Sequence, residues 1–162
     1  MQTRTLRSLR RIALLALVSV AVTACDDDDD PTGPPSAAGT YNIASIQQEG
    51  LAACTLGTTG CTIENTGTEV IVVEDGQLVL SANGTFTIVV NGTVDDVDEE
   101  LGSASGTWVR TQNGVTLTVT GFPVPVAGTF STAAAEELVF TVPASLFSDT
   151  ATGNVTITFD KQ

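Results

Sequence analysis

The chain has 162 residues, which is room for one domain of ordinary size. Apolar residues make up 42% of it and it carries 15 glycines, a composition typical of a β-rich globular domain. Four of the 6 basic residues lie within the first eleven positions, whereas all 19 acidic residues follow Cys25. Beyond the N-terminus, two basic residues therefore face 19 acidic ones, a net charge of −17 that argues against nucleic acid as a partner, because such a surface repels phosphate.

The first 24 residues have the pattern of a secretory signal peptide. A basic stretch at residues 1–11 precedes an apolar stretch at residues 12–22, which is shorter than the about 20 residues that a membrane span needs. The closing residues Val22-Thr23-Ala24-Cys25 resemble the bacterial lipobox, an aliphatic residue and two small ones before an obligatory cysteine. The resemblance implies cleavage before Cys25, with diacylglycerol on its sulfur and an acyl chain on its new amine. An ordinary signal peptide with a chance cysteine is the alternative.

Residues 26–38, DDDDDPTGPPSAA, have the composition of a solvated spacer. Like charges repel and prolines stiffen the chain, so we expect an extended tether that stays out of the core. Five adjacent aspartates lack the alternation and the turn glycine of a calcium loop, which leaves weak, non-specific cation binding as the alternative. The run also resembles a surface-export signal of some bacterial phyla, which favours the outer membrane or the cell surface over the inner membrane. The predicted organisation is a signal peptide at 1–24, the lipidated cysteine and linker at 25–38, and a β domain at 39–162.

A glycine-threonine-aromatic motif recurs in the β domain. It begins at residues 39, 84, 106 and 128, so that the starts are 45, 22 and 22 residues apart. Twenty-two residues are about two strands and two turns, which predicts one hairpin per repeat, with the glycine in the turn and the aromatic residue opening a strand. If these rings lie together at one end of the domain, they are candidates to line a ligand opening, but core packing is the favoured role. The four candidates are Tyr41, Phe86, Trp108 and Phe130.

Four segments alternate apolar and polar residues with the period of a strand that buries one face, at 86–90, 115–121, 138–142 and 155–159. Asp-Gly and Asn-Gly dipeptides at 75–76, 83–84, 91–92 and 113–114 predict turns, and residues 131–137 predict a short helix or a loop. About eight to ten strands joined by tight turns favour an all-β, antiparallel up-and-down β-barrel, which leaves no open edge. An immunoglobulin-like β-sandwich, with Trp108 as its buried tryptophan, is the alternative.

Gly39-Thr40-Tyr41 resembles the Gly-x-Trp opening of lipocalin-like domains, with tyrosine in place of tryptophan. The segments LVLSANGTFTI and GTWVRTQNGVTLTV are similar to the middle hairpins of small bacterial lipocalin-like lipoproteins. The resemblance covers residues 39–162 and implies a closed barrel. It also implies a basic residue packed on the ring of the opening motif, for which Lys161 in the last strand is the candidate.

Cys54 and Cys61 predict a structural disulfide, since an exported chain enters an oxidising compartment. A metal pair lacks further ligands because the chain has no histidine, and a redox site prefers the tighter C-x-x-C spacing. Asp96, Asp98 and Glu100 alternate as calcium ligands can, in an acidic segment where a strand is expected to give way to a loop. A solvated acidic loop is favoured, because the turn glycine of a calcium loop is absent.

Enzymatic chemistry has little support. Without histidine the serine and cysteine triads are absent, and no Gly-rich loop precedes a phosphate-binding lysine. The sequence therefore predicts no catalytic residue and no cofactor. It predicts a monomeric, membrane-anchored envelope lipoprotein that binds a small apolar ligand or an envelope protein, or serves a structural role. The alternative is a surface-displayed, immunoglobulin-like adhesion or scaffold module.

Overall fold

The computed structural model describes residues 36–57, 59–121, 124–131 and 136–162. The described residues form ten strands and one 3₁₀ turn, Ala144–Leu146. The strands are β1 (Gly39–Gln48), β2 (Cys54–Thr55), β3 (Cys61–Ile63), β4 (Ile71–Leu80), β5 (Thr85–Val94), β6 (Val97–Thr111), β7 (Gly114–Val119), β8 (Val126–Phe130), β9 (Glu137–Pro143) and β10 (Asn154–Lys161). Within these ranges no helix has both the length and the apolar character that crossing a membrane requires.

Eight of the strands close into an antiparallel up-and-down barrel. Strands β4 to β10 each pair with the next one along the chain, and β10 pairs with β1. Strand β1 then pairs with β4, with Gly39 opposite Leu80 and Asn42 opposite Gln77, which closes the ring. The predicted barrel is confirmed. The immunoglobulin-like sandwich is wrong, because a sandwich keeps two separate sheets, whereas here one sheet closes on itself.

The barrel has two ends that differ in their connections. The first end holds the start of β1, the end of β10, and the β4–β5, β6–β7 and β8–β9 connections. The second end holds the β5–β6, β7–β8 and β9–β10 connections and the long segment between β1 and β4 that contains β2 and β3.

Inward-facing side chains fill the barrel. The alternation predicted for β5, β7, β9 and β10 is confirmed, since their apolar positions face inward and their threonines face outward. Phe140 and Phe159 pack edge to face on neighbouring strands, with ring centres 5.9 Å apart. The largest side chains that are less than 2% exposed are Tyr41, Phe86, Phe159, Ile63, Ile71, Leu78, Leu80 and Leu138.

Two of the four predicted turns are wrong. Asn83-Gly84 and Asn113-Gly114 lie at the β4–β5 and β6–β7 connections, as expected. Asp75 instead lies inside β4 and faces Asn91 in β5, whose Nδ2 donates a hydrogen bond to Asp75 Oδ1 at 2.7 Å. Because the two side chains satisfy each other across the hairpin, the ladder continues where local turn chemistry would have ended it.

The predicted signal peptide at 1–24, Cys25 and most of the linker at 25–38 lie outside the described residues. The last linker residues, 36–38, are described, and Ala37 is 2% exposed. The expectation that the linker stays out of the core is therefore wrong at this point, since Ala37 is small and apolar and lies beside the start of β1. The helix or loop expected at 131–137 falls mostly on residues that are not described, and Glu137 begins β9.

Candidate functional site

All four aromatic residues of the repeated motif lie at the first end of the barrel. Tyr41 and Phe86 open β1 and β5, whereas Trp108 and Phe130 lie at the ends of β6 and β8. The prediction that each ring opens a strand is wrong for the last two. A repeat of 22 residues covers one strand away from this end and one strand back, so it returns the motif to the same end of the barrel. Strands β6 and β8 run towards this end, and their rings therefore lie where the strands finish.

The aromatic residues close this end of the barrel. Tyr41 is 0% exposed and Phe86 is 1% exposed, so both are core residues. The half-buried Trp108 donates a hydrogen bond from Nε1 to the backbone oxygen of Ser81, at 2.9 Å, and so packs over the β4–β5 turn. Core packing, the alternative to a ligand opening, accounts for Tyr41 and Phe86.

Two glycines of the motif make room for rings on neighbouring strands. Gly106 lies opposite Phe86 and Gly128 lies opposite Phe140 in the strand register. A Cβ atom at Gly128 would overlap the Phe140 ring. The interpretation of the motif glycine as a turn residue is therefore wrong at these two positions, which lie inside β6 and β8.

Both basic side chains of the barrel, Arg110 and Lys161, contact rings at the first end. Lys161 Nζ lies 5.8 Å from the centre of the Tyr41 ring and donates a hydrogen bond to the backbone oxygen of Ser36 at 2.8 Å. The predicted place of Lys161 is thereby confirmed. The Arg110 guanidinium lies 5.0 Å from the centre of the Phe130 ring. Its Nη1 atom is buried and has no hydrogen-bond partner among the described residues.

Two opposing effects act on the pKa of Tyr41 at this end. Burial of the ring raises the pKa of its hydroxyl above 10.0, and the positive charge of Arg110 partly offsets this rise. The hydroxyl donates a hydrogen bond to the backbone oxygen of Ala37 at 2.8 Å. The protonated form of Tyr41 is thus the one that this environment stabilises.

The seam between β1 and β4 is the irregular part of the barrel. Beyond Asn42 and Gln77 the two strands separate, and β2 pairs with β1 while β3 pairs with β4. A disulfide between Cys54 and Cys61, with Cα atoms 5.8 Å apart, joins β2 to β3. The predicted disulfide is confirmed, and it bridges the two sides of the separated seam. We call the point where β1 and β4 separate, at Asn42 and Gln77, the fork.

A cavity of about 350 Å³ lies at the fork. Ile43, Leu56 and Gly76 contribute a more buried, largely apolar floor, and outward-facing polar residues form its rim. The full lining is Asn42, Ile43, Leu56, Gly57, Glu74, Asp75, Gly76 and Gln77. Sequence reasoning missed this site, because it read Asp75-Gly76 as a turn and because the cavity exists only once β1 meets β4. No local pattern marks it.

The acidic segment forms a tight hairpin where a loop was expected. Asp95 and Asp96 form the β5–β6 turn, with φ of 53° and 64°, and β6 begins at Val97. Aspartate tolerates this left-handed conformation, which suits a two-residue turn. The backbone N–H of Val70 donates to Asp95 Oδ1 at 2.9 Å and fixes the tip of the hairpin.

The structure does not gather the calcium candidates. Asp98 and Glu100 lie in β6, and Glu100 accepts a hydrogen bond from Ser103 Oγ at 2.6 Å. Over the described ranges, no three acidic or cysteine side chains converge closely enough to hold a metal ion. Asp96, Asp98 and Glu100 accordingly do not form a common site in this arrangement.

The fold and the site define a closed, eight-stranded antiparallel barrel with a disulfide-bridged seam. Comparison with protein families, curated proteins and solved structures finds no match to this chain.

Proposed function

We propose that the protein is a lipid-anchored, non-enzymatic binding module of the bacterial envelope, built on a lipocalin-like barrel. The lipobox-like residues that end at Cys25 support the anchor. Two or more acyl chains hold a protein stably on a membrane, at about 0.8 kcal/mol per buried CH₂. The contact of Lys161 with the ring of the opening motif supports the lipocalin-like character of the barrel. The aspartate run after Cys25 supports an outer-membrane or cell-surface location.

One observation carries the binding mode: side chains occupy the interior of the barrel. An eight-stranded barrel has room for its own side chains or for one small ligand. Here Tyr41, Leu78 and Phe86 are at most 1% exposed and take up interior space. We therefore propose that the barrel is a rigid monomeric body that meets its ligand or its envelope partner at the outer surface.

The anchor is tested by labelling growing bacterial cells with an alkyne-tagged fatty acid and separating their membranes. We expect the wild-type chain to carry the label and to sediment with the membrane. The Cys25→Ser variant should lose both properties. A Cys54→Ser/Cys61→Ser double variant is the matched control and should keep them. Label on the Cys25→Ser variant, or none on the wild type, would count against the anchor.

A small apolar ligand with an acidic head group, held at the first end, is the second candidate function. The observation that favours it is the Arg110 Nη1 atom, which is buried without a partner among the described residues. A buried unpaired donor is costly, and an anionic head group would satisfy it.

Trp108 is the only tryptophan of the chain and lies at the same end as Arg110, so its fluorescence can report such binding. The second candidate predicts a saturable change of Trp108 emission with dodecanoate, which Arg110→Gln removes. Unchanged emission in the wild-type chain would contradict it.

A further inference from the structure

We infer that the cavity at the fork binds the charged head of a small organic amine. This inference deepens the proposed binding function, and rests on it only in treating the chain as a binding module.

The rim presents hydrogen-bond acceptors. Glu74 and Asp75 are exposed and lie beside a shift in the β4–β5 register. Among the described residues the Glu74 carboxylate has no hydrogen-bond partner, and Asp75 uses only Oδ1, towards Asn91. An ammonium group carries three donors and no acceptor, so these carboxylate oxygens match it in charge and in hydrogen-bonding type.

The two strands of the fork hold the rim in place. Gln77 Nε2 donates to Asn42 Oδ1 at 3.3 Å across the β1–β4 seam, which engages one of its two N–H donors. No hydrogen bond among the described residues uses the Gln77 side-chain oxygen, which is therefore available as an acceptor. Asn42 also lies opposite Asp160 of β10 in the register, which adds a third carboxylate to the surroundings of the fork. Lys161, the neighbour of Asp160, contacts Tyr41 and Ser36 instead.

The floor suits the carbon chain of an amine. Ile43 is 7% exposed, and its side chain fills the space that a Cβ atom at Gly76 would need. Leu56 is partly buried and packs against the core cluster. The alkyl chain of an amine whose ammonium group is bound by the carboxylates can therefore lie on aliphatic side chains. Organic ligand sites commonly combine apolar walls with a few polar groups in this way.

Other ligand classes fit less well. The net charge of the lining repels anions. Sugars commonly stack on aromatic rings, and the residues that line the cavity include none. A bare metal ion is disfavoured because the described residues gather no set of three acidic or cysteine ligands. The volume of about 350 Å³ lies at the small end of the usual ligand-site range.

A steric variant tests the site directly. The full chain, purified in detergent, is titrated with 1,4-diaminobutane by isothermal calorimetry at low ionic strength. We expect a saturable site in the wild type and at least about tenfold weaker binding by Gly57→Phe. Gly57 lines the cavity and a Cβ atom there meets nothing within 4 Å, so a larger side chain fits at the edge of the cavity without a clash. Gly102→Phe is the matched control, because Gly102 in β6 has the same freedom and lies outside the cavity lining.

A charge variant distinguishes binding of the diamine at this cavity from general attraction of a cation to an acidic surface. Glu74→Gln should weaken diamine binding by about threefold to tenfold, and Glu99→Gln, in the acidic hairpin, should change it by less than about twofold. The neutral probe 1,4-butanediol should give no heat of binding.

Absent diamine binding by the wild type, equal affinities of Gly57→Phe and Gly102→Phe, or equal losses in the two charge variants would overturn the inference. None of these outcomes bears on the proposed anchor, which the Cys25 labelling tests separately.

Discussion

Lys161 Nζ lies 5.8 Å from the centre of the Tyr41 ring, at the place where the first and last strands of the barrel pair. The same lysine donates to the backbone of Ser36, and the Tyr41 hydroxyl donates to the backbone of Ala37. Lys161 thus ties the residues before β1 to the end of β10, and Tyr41 ties the same residues to β1. These contacts hold the N-terminal and C-terminal segments of the barrel together at the first end.

Replacing Lys161 tests how much this fastening contributes. Lys161→Met keeps most of the stem and removes the charge, the contact with the ring and the hydrogen bond to Ser36. We expect a loss of about 1–2 kcal/mol in the free energy of unfolding, the sum of one cation–π contact and one hydrogen bond. Urea denaturation measures it. Asp160→Asn is the control on the same strand and should change stability by less than about 0.5 kcal/mol.

The pKa of Tyr41 can be followed without labels, because Tyr41 is the only tyrosine of the chain. Burial raises its pKa above 10.0, so the folded state holds this proton more tightly than the unfolded state does. Stability is therefore fully retained below about pH 10 and falls as pH rises from there through the folded pKa. Absorbance at the tyrosinate wavelength should show the raised pKa, and Arg110→Gln should raise it further, because a neighbouring positive charge is lost. An unchanged or lower pKa in Arg110→Gln would contradict the proximity of the two groups.

Loss of the disulfide should loosen the seam. Cys54 and Cys61 close a short loop, and removing the bond should cost about 2–3 kcal/mol on the loop-entropy estimate. Urea denaturation of Cys54→Ser/Cys61→Ser measures the loss. Hydrogen exchange should locate it, with faster exchange in β2 and β3 and little change in β9 and β10. Uniformly faster exchange over all strands would show that the bond does not act locally at the seam.

A single added methyl group tests the ring-and-glycine packing at the first end. Gly128→Ala places its Cβ atom against the Phe140 ring, and we expect it to destabilise the barrel by about 1–3 kcal/mol through overpacking. Gly102→Ala meets nothing within 4 Å and should leave stability unchanged or raise it by about 0.4–1 kcal/mol. Thermal unfolding of the two variants in parallel gives the comparison. Equal changes in stability would mean that the Phe140 ring moves aside without destabilising the barrel.

The features of this fold that could be predicted are those set by residues close together in the sequence. The alternation of Leu138 with Phe140, or of Val155 with Ile157, follows from the two-residue period of a strand and holds in the structure. Closure of the barrel was also predictable as a class, because adjacent antiparallel strands otherwise leave open edges. The disulfide was predicted from the cysteine spacing and from the expectation of an oxidising compartment, without knowledge of the fold.

The remainder depends on pairing between distant residues. Asp75-Gly76 resembles a turn in isolation, but Asp75 finds Asn91 across the hairpin and Gly76 admits Ile43 from β1. The fork exists because β1 stays with β4 only as far as Asn42, which no local pattern records. The cavity there consequently could not be predicted. Of the two roles predicted for the aromatic residues, core packing holds for Tyr41 and Phe86, which are buried at the first end.

Native mass spectrometry of the full protein released gently from the bacterial envelope tests the central claim most directly. A lipid-anchored binding module predicts a chain that begins at Cys25, carries the mass of its acyl groups and retains the Cys54–Cys61 bond, and small amines should add to it in saturable fashion. A mass without acyl groups, from a chain that does not begin at Cys25, would contradict the account.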